Sequence, residues 1–255
     1  MKLIIAGCAK NCGRYLDGVL KNIDVIRSCF KEVKMIFAYD NSHDTTLERL
    51  RDYKLKNLAD ADILMCCNTH KHRTVNIANA RNCIMDYINK KYSDYDLLCF
   101  LDLDDIINKP IDPMTIYNFM GLYDQWDAIS FNRDTYYDIW ALRFNPYLCS
   151  CWGFGSHSPG VVSTMQGEIV SKLNALKMNE LFEVKSAFNG IAFFKLNKFI
   201  NCRFTGLFKE DQDFYNPLFD TYLPSVDDCE WVSFYDDARK NDPNLKVMIS
   251  PMKLY

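Results

Sequence analysis

Leu97-Leu98-Cys99-Phe100-Leu101-Asp102-Leu103-Asp104-Asp105-Ile106 runs five apolar residues into three carboxylates within four positions. A short continuous apolar run reads as a strand buried on both faces, the kind found in a mainly parallel sheet of an α/β protein. Ligands of open α/β sheets bind outside the carboxyl ends of the strands, where Asp102, Asp104 and Asp105 are expected. Three carboxylates crowded there repel one another unless a cation joins them, and hard oxygen ligands suit Mg²⁺ or Mn²⁺. The spacing therefore points to a divalent metal holding a phosphorylated ligand. A solvated acidic turn that caps the next segment is the competing reading.

Upstream, residues 2–6 read as a buried first strand. The small-residue turn Gly7-Cys8-Ala9-Lys10-Asn11-Cys12-Gly13 leads into a helix carrying Leu16, Val19, Leu20, Ile23 and Ile26 at helical spacing. Gly7 and Gly13 do not make G-x-G-x-x-G, which argues against a dinucleotide fingerprint. A second strand, 33–39, ends in Asp40-Asn41-Ser42-His43-Asp44-Thr45-Thr46, where Ser42 or Asp44 can cap the following helix. Asp40 there is placed either to accept hydrogen bonds from a ribose or base, or to shape an Asx turn. Residues 61–67 form a third strand, and 73–91 a helix whose inner stripe Ile77, Ile84 and Ile88 also carries Arg81, with Arg73 near its start. An arginine on a buried face needs a partner, the strand-end carboxylates or a ligand diphosphate, unless the stripe is partly exposed and the side chain snorkels to solvent.

Downstream lie a helix near 115–122, a strand over 126–131 and the segment Tyr136-Tyr137-Asp138-Ile139-Trp140-Ala141-Leu142-Arg143, rich in groups that stack on polar rings. Residues 145–163, with Gly153, Gly155, Gly160 and His157, read as a long loop beside a site. A helix over 167–181 follows, then the turn Phe188-Asn189-Gly190 into a strand over 191–195. A second acidic cluster occupies 225–237.

Composition narrows the class. The chain has 255 residues, 49% hydrophobic and 25% charged, and a net charge of −3, so it has no bulk electrostatic attraction for nucleic acid or anionic membrane. No apolar run reaches the roughly 18–20 residues of a membrane span, and the N-terminus lacks the pattern of a signal peptide, so a cytoplasmic location is expected. The 11 cysteines form no zinc spacing, and Cys66, Cys67 and Cys99 sit in apolar runs as reduced, buried thiols.

The motif order resembles GT-A fold glycosyltransferases, whose sheet is Rossmann-like, mainly parallel and flanked by helices. The stretches Tyr39–Thr46, Ala78-Asn79-Ala80-Arg81-Asn82 and Leu101-Asp102-Leu103-Asp104-Asp105 are similar to the family 2 patterns, the last to its DXD metal motif. The opening Ala6-Gly7-Cys8-Ala9-Lys10-Asn11, with 136–143, Phe188-Asn189-Gly190 and Cys229-Glu230-Trp231-Val232, resembles small viral and fungal capsule-type enzymes, the cryptococcal mannosyltransferase-like group. The resemblance implies one domain over 1–255, with a nucleotide-binding half (1–107) and an acceptor-binding half (108–255). It implies a metal-dependent hexosyl- or deoxyhexosyltransferase moving a sugar from a UDP- or GDP-linked donor to a hydroxyl of a glycan or glycoconjugate.

On that resemblance Ala6, Lys10, Asp40, Arg73, Arg81 and Asp102 would bind the nucleotide-sugar. Asp104, Asp102 and Asp105 would hold Mn²⁺ or Mg²⁺, Asn189 and Gly190 would lie on the acceptor side, and Glu230, with Asp228 in reserve, would be the base. Lys10 stands where relatives usually have arginine, and the histidine that often follows the Cys-Glu pair is absent. Two rivals use the same residues. A haloacid dehalogenase-type phosphatase would attack through Asp102, although that motif normally lies on the first strand. A catalytically inactive nucleotide- or carbohydrate-binding module would keep the Asp40/Arg73 pocket alone.

Overall fold

The computed structural model describes residues 1–148, 159–207, 215–216, 221–222 and 227–254. The first half alternates strand and helix: β1 (Lys2–Ala9), α1 (Gly13–Ser28), β2 (Glu32–Asp40), α2 (Thr46–Lys56), β3 (Ala61–Cys66), α3 (Arg73–Lys91) and β4 (Leu97–Leu101). The second half is less regular: α4 (Pro113–Met120), β5 (Ala128–Asn132), α5 (Pro159–Asn174), β6 (Phe182–Glu183), β7 (Ile191–Lys195), α6 (Leu196–Phe199), β8 (Tyr215–Asn216), β9 (Thr221–Tyr222), α7 (Glu230–Asn241) and β10 (Val247–Lys253). Eight strands make one sheet in the order β3-β2-β1-β4-β7-β5-β10-β6, and β8 pairs with β9 apart from it.

β1 is flanked by β2 and β4, both parallel to it, with Leu3 opposite Val33 and Leu97. The chain order reverses at this point, so the carboxyl ends of β1, β2 and β4 open onto one crevice. β7 then runs antiparallel between β4 and β5. Side chains alternate across the sheet, and both faces are covered. Leu3 and Ile5 join α1 and α4 in one core layer, while Ile4 and Ala6 join α3 and α7 in the other. This two-sided burial is why the strands read as unbroken apolar runs.

Several boundaries move. The helix expected over 167–181 occupies 159–174, because proline is tolerated in a first helical turn, where no amide partner is needed. Beyond it the chain turns, with the Glu180 carboxylate accepting from the Lys177 amide at 2.9 Å. Cys67 lies past the end of β3 and is exposed rather than buried; the described cysteines are all free thiols. β10 has no counterpart among the expected strands, since Pro251 argues against a ladder; the register with β5 shifts between Ser250 and Lys253, where it sits. Residues 149–158 of the expected loop, with His157, and residues 225–226 of the acidic cluster lie outside the described residues.

Gly7 allows the acidic motif to approach β1. A Cβ there would stand 2.7 Å from the Leu101 carbonyl oxygen and 2.8 Å from Leu103 Cγ. Gly7→Ala is therefore expected to cost about 1–3 kcal/mol by overpacking, read as a lower urea midpoint with unchanged slope; an unchanged midpoint would refute this close approach.

Candidate active site

The crevice at the strand ends is a cleft of about 690 Å³. One wall of it starts with two loops that hold each other. Asn11, at φ 52°, takes the His43 amide on its side-chain oxygen at 2.8 Å and gives its own amide to Ser42 Oγ. Asp44 joins two helix starts: one carboxylate oxygen accepts from the Gly13 amide of α1 at 2.8 Å, the other from the Thr46 amide and hydroxyl.

These loops present Asp40 and Lys10. Lys10 Nζ donates to Asp40 Oδ2 at 2.8 Å, while the backbone amides of Asn41 and Asn68 donate to Oδ1. Burial works against the charge of Asp40, but Lys10 and the two amides outweigh it and hold the carboxyl below its ordinary value. The result is an ionised acceptor at the cleft wall. Asn68 Nδ2 beside it is buried without a partner, a state that costs about 1–3 kcal/mol unless something fills it. Arg73 and Lys71 are exposed on the rim of the same cleft. Ala6 is fully buried within β1 and does not line it.

The acidic motif divides. Asp104 lines the cleft and caps the short 3₁₀ turn Asp105–Ile107, accepting from the Ile106 amide at 3.1 Å. The capping reading of this segment is thus correct for Asp104, which also faces the cleft. Asp105 is exposed on that turn and does not reach the cleft. Asp102 leans inward, where the Tyr137 hydroxyl donates to Oδ2 at 2.5 Å and Arg81 Nη2 lies 3.7 Å from Oδ1. Burial, then the charge of Asp104, push the Asp102 carboxyl up to about 7 against the pull of Arg81 and Tyr137. Burial also raises Asp104.

Asp102 and Asp104 therefore form a donor set short of positive charge. No three His, Cys, Asp or Glu side chains converge as a metal cage among the described residues. Two carboxylates still fit Mg²⁺ or Mn²⁺, which bind through one or two carboxylates and complete their shell with phosphate oxygens and water.

Arg81 crosses the cleft floor from α3. It is 7% exposed and donates through Nη1 to Glu230 Oε1, at the first residue of α7. Its guanidinium lies 4.2 Å from the Trp231 ring centroid and 5.3 Å from that of Phe188, and these two rings stack 4.1 Å apart. Of its two expected partners, the strand-end carboxylate is present at longer range; the short contact is Glu230, 149 residues away in the chain.

Glu230 thus reaches the cleft, but its carboxylate is already engaged. Asp228 is buried behind it and accepts from the Cys229 amide at 2.7 Å; it does not line the cleft. Asn189 and Gly190 also stay behind the wall, at φ 56° and 93°. Asn189 Oδ1 accepts from the amides of Tyr137 and Asp138 at 3.1 and 3.3 Å, and Nδ2 donates to the Phe131 carbonyl at 2.9 Å. Asn189 therefore holds the turn that brings Tyr137, Asp138 and Trp140 to the cleft. Arg143, from the same segment, points away to a bidentate pair with Asp236. The aromatic composition of 136–143 had marked this segment, but nothing in its spacing marked Asp138.

No known sequence family matches the chain, and no curated protein does. Solved structures do match in fold. S. aureus TarS 1-349 in complex with UDP-GlcNAc is 12% identical with a TM-score of 0.54, over 100% of this chain and 57% of that one. TarS 1-349 alone gives 13% and 0.51, over 100% and 59%. Mannosyltransferase PcManGT from Pyrobaculum calidifontis, in complex with GDP-Man and Mn²⁺, gives 12% and 0.49, over 98% and 57%. The chain has the GT-A fold. It spans under two thirds of the length of each of these chains.

Two consequences can be measured. Arg81→Met leaves Glu230 buried without its cation and should cost about 3–5 kcal/mol in urea denaturation, part of it recovered by adding Glu230→Leu; a neutral single variant would contradict the pairing. Asp102 has a folded-state pKa above its unfolded value of 3.8, so it costs stability progressively as pH rises from there through about 7. In chelator, Asp102→Asn should therefore raise the melting temperature more at pH 8 than at pH 5, and an equal gain at both would exclude this cause.

Proposed function

We propose that the chain is a metal-dependent glycosyltransferase taking a UDP- or GDP-linked sugar, a hexose or deoxyhexose, to a hydroxyl of a glycan or glycoconjugate. The observation that carries the reading is the placement of Asp40–Lys10 and the Asp102/Asp104 pair on one cleft at the carboxyl ends of β2, β1 and β4.

A nucleotide fits these groups in a fixed direction. The ionised Asp40 accepts from a ring N–H of uracil or guanine, while Lys10 and Asn68 Nδ2 offer donors to the neighbouring carbonyl oxygens. Adenine and cytosine lack a ring N–H on their pairing edges and offer Asp40 only an exocyclic amino group. Arg73 and Lys71 on the rim meet the diphosphate, for which a guanidinium is well shaped. Asp104 and Asp102 would hold Mn²⁺ or Mg²⁺, which supplies neutralising charge to the departing diphosphate. Arg81 serves the reaction indirectly, by setting Asp102 and Glu230.

Across the cleft, the partly exposed Trp140 and Tyr137 offer the aromatic surface on which a sugar ring packs. The base belongs to this wall, where Glu230 was expected. We assign residues 1–107 to the donor and 108–255 to the acceptor within one GT-A unit, in the small viral and fungal capsule-type group, acting in the cytoplasm. No helix of the described residues is long and apolar enough to cross a membrane. A phosphatase nucleophile at Asp102 fits poorly, since Tyr137 occupies one oxygen and Arg81 lies beside the other.

Calorimetry with UDP and GDP, with and without Mn²⁺, tests the reading. One of the two nucleotides should bind only with the metal. Asp40→Asn should then weaken it about 10- to 100-fold, the range of a hydrogen bond to a charged group. A folded sample that binds neither nucleotide in Mn²⁺ rejects the assignment.

A further inference from the structure

We infer that Asp138 is the general base of this cleft, receiving the proton of the acceptor hydroxyl, and that Glu230 holds Arg81 in place instead. The inference rests on the glycosyltransferase reading above and names the group that completes it.

Three observations separate the two carboxylates. Glu230 is bound directly to the Arg81 guanidinium, with both side chains 9% exposed. Protonating it would break that pair and strand a buried cation, so it is a poor proton acceptor. Asp138 also lines the cleft and is 7% exposed, but among the described residues no lysine, arginine or histidine pairs with it. Its carboxylate is held by backbone amides alone among the described residues, Ala141 at a long 3.3 Å and Asn189.

The groups around Asp138 are Glu230 and Cys229 from α7 and its approach, Arg81 from α3, Asp102 beyond β4, Tyr136 and Tyr137 from its own turn, and Tyr235 from α7. Burial first, then the Glu230 charge, push the Asp138 carboxyl up to about 6. A base is most effective when its proton affinity lies near the working pH.

Position favours the same residue. Asn189 holds the amides of Tyr137 and Asp138, and Tyr137 in turn is bonded to Asp102 on the donor side. Asp138 is therefore fixed relative to the donor wall through one tyrosine. In the step it serves, the acceptor oxygen forms a bond to the anomeric carbon of the donor. The bond from that carbon to the diphosphate oxygen breaks, and its electron pair leaves with the nucleoside diphosphate. The hydroxyl proton passes to an Asp138 oxygen and later to water. A single displacement of this kind inverts the anomeric centre.

The test uses the whole chain with Mn²⁺, a panel of UDP- and GDP-sugars, and water as the acceptor. Nucleotide affinity is read by calorimetry, release of UDP or GDP as turnover, and the configuration of the freed sugar by proton NMR before it mutarotates. Asp138→Asn should lower turnover about 10²- to 10⁴-fold, the usual worth of a general base, with nucleotide affinity unchanged; Asp138→Glu should recover part of it, and the product should be inverted. Glu230→Gln should instead lower the melting temperature together with turnover. Asp138→Asn turning over like the wild type, losing nucleotide affinity in parallel, or a retained product overturns the assignment alone. Wild-type binding without turnover also overturns it while leaving the donor site standing. Absence of metal-dependent nucleotide binding removes the broader reading.

Discussion

The site depends on one buried cation. Arg81 stands on α3 under the cleft, closed in by Trp231 and Phe188 and shared between Glu230 at the start of α7 and Asp102 at the end of β4. A guanidinium cannot shed its charge, so this position must be answered by carboxylates wherever the chain supplies them. The answer comes from both halves of the sequence, and the contact therefore fixes α7 against the first-half βαβ frame. Trp231, one residue after Glu230, is carried into the floor of the cleft by the same docking. Packing and charge act together here: the rings that exclude water also make an unpaired Arg81 costly.

How far this was readable depends on the range of each interaction. The first four strands and their helices are local patterns, apolar runs and 3.6-residue stripes, and their positions followed from them. The inward face of Arg81 was legible for the same reason, since Ile84 and Ile88 define its stripe. Its close partner was not, because Glu230 is supplied by tertiary packing alone. Asp104 and Asp105 look equivalent in sequence; only the 3₁₀ turn separates one facing the cleft from one facing solvent. Asp138 lies in a segment without helix or strand period, placed by Asn189 from 51 residues further on. β10 was hidden by Pro251, which the sheet accommodates with a shift in register. Asn189 and Gly190 were expected on the acceptor side; they sit behind the cleft wall and act on it through backbone geometry.

The charges of the cleft sort into two groups, and the proposed chemistry follows that division. Lys10 with Asp40, and Arg81 with Glu230, are matched pairs. Each side chain in such a pair has its charge answered, so it can position a ligand or a wall but gains little by taking a further proton or cation. Asp104 and Asp138 have no close cation, and Asp102 shares Arg81 only at 3.7 Å; burial raises the proton affinity of all three. Two of them lie together at the strand ends, where mutual repulsion favours a shared divalent ion. The third lies across Tyr137 from them, with no close cationic partner among the described residues, where a single proton is enough to balance it. A transfer reaction needs these two sinks of positive charge, one beside the leaving diphosphate and one beside the attacking hydroxyl. Tyr137, bonded to Asp102 and adjacent in sequence to Asp138, sets the separation between them.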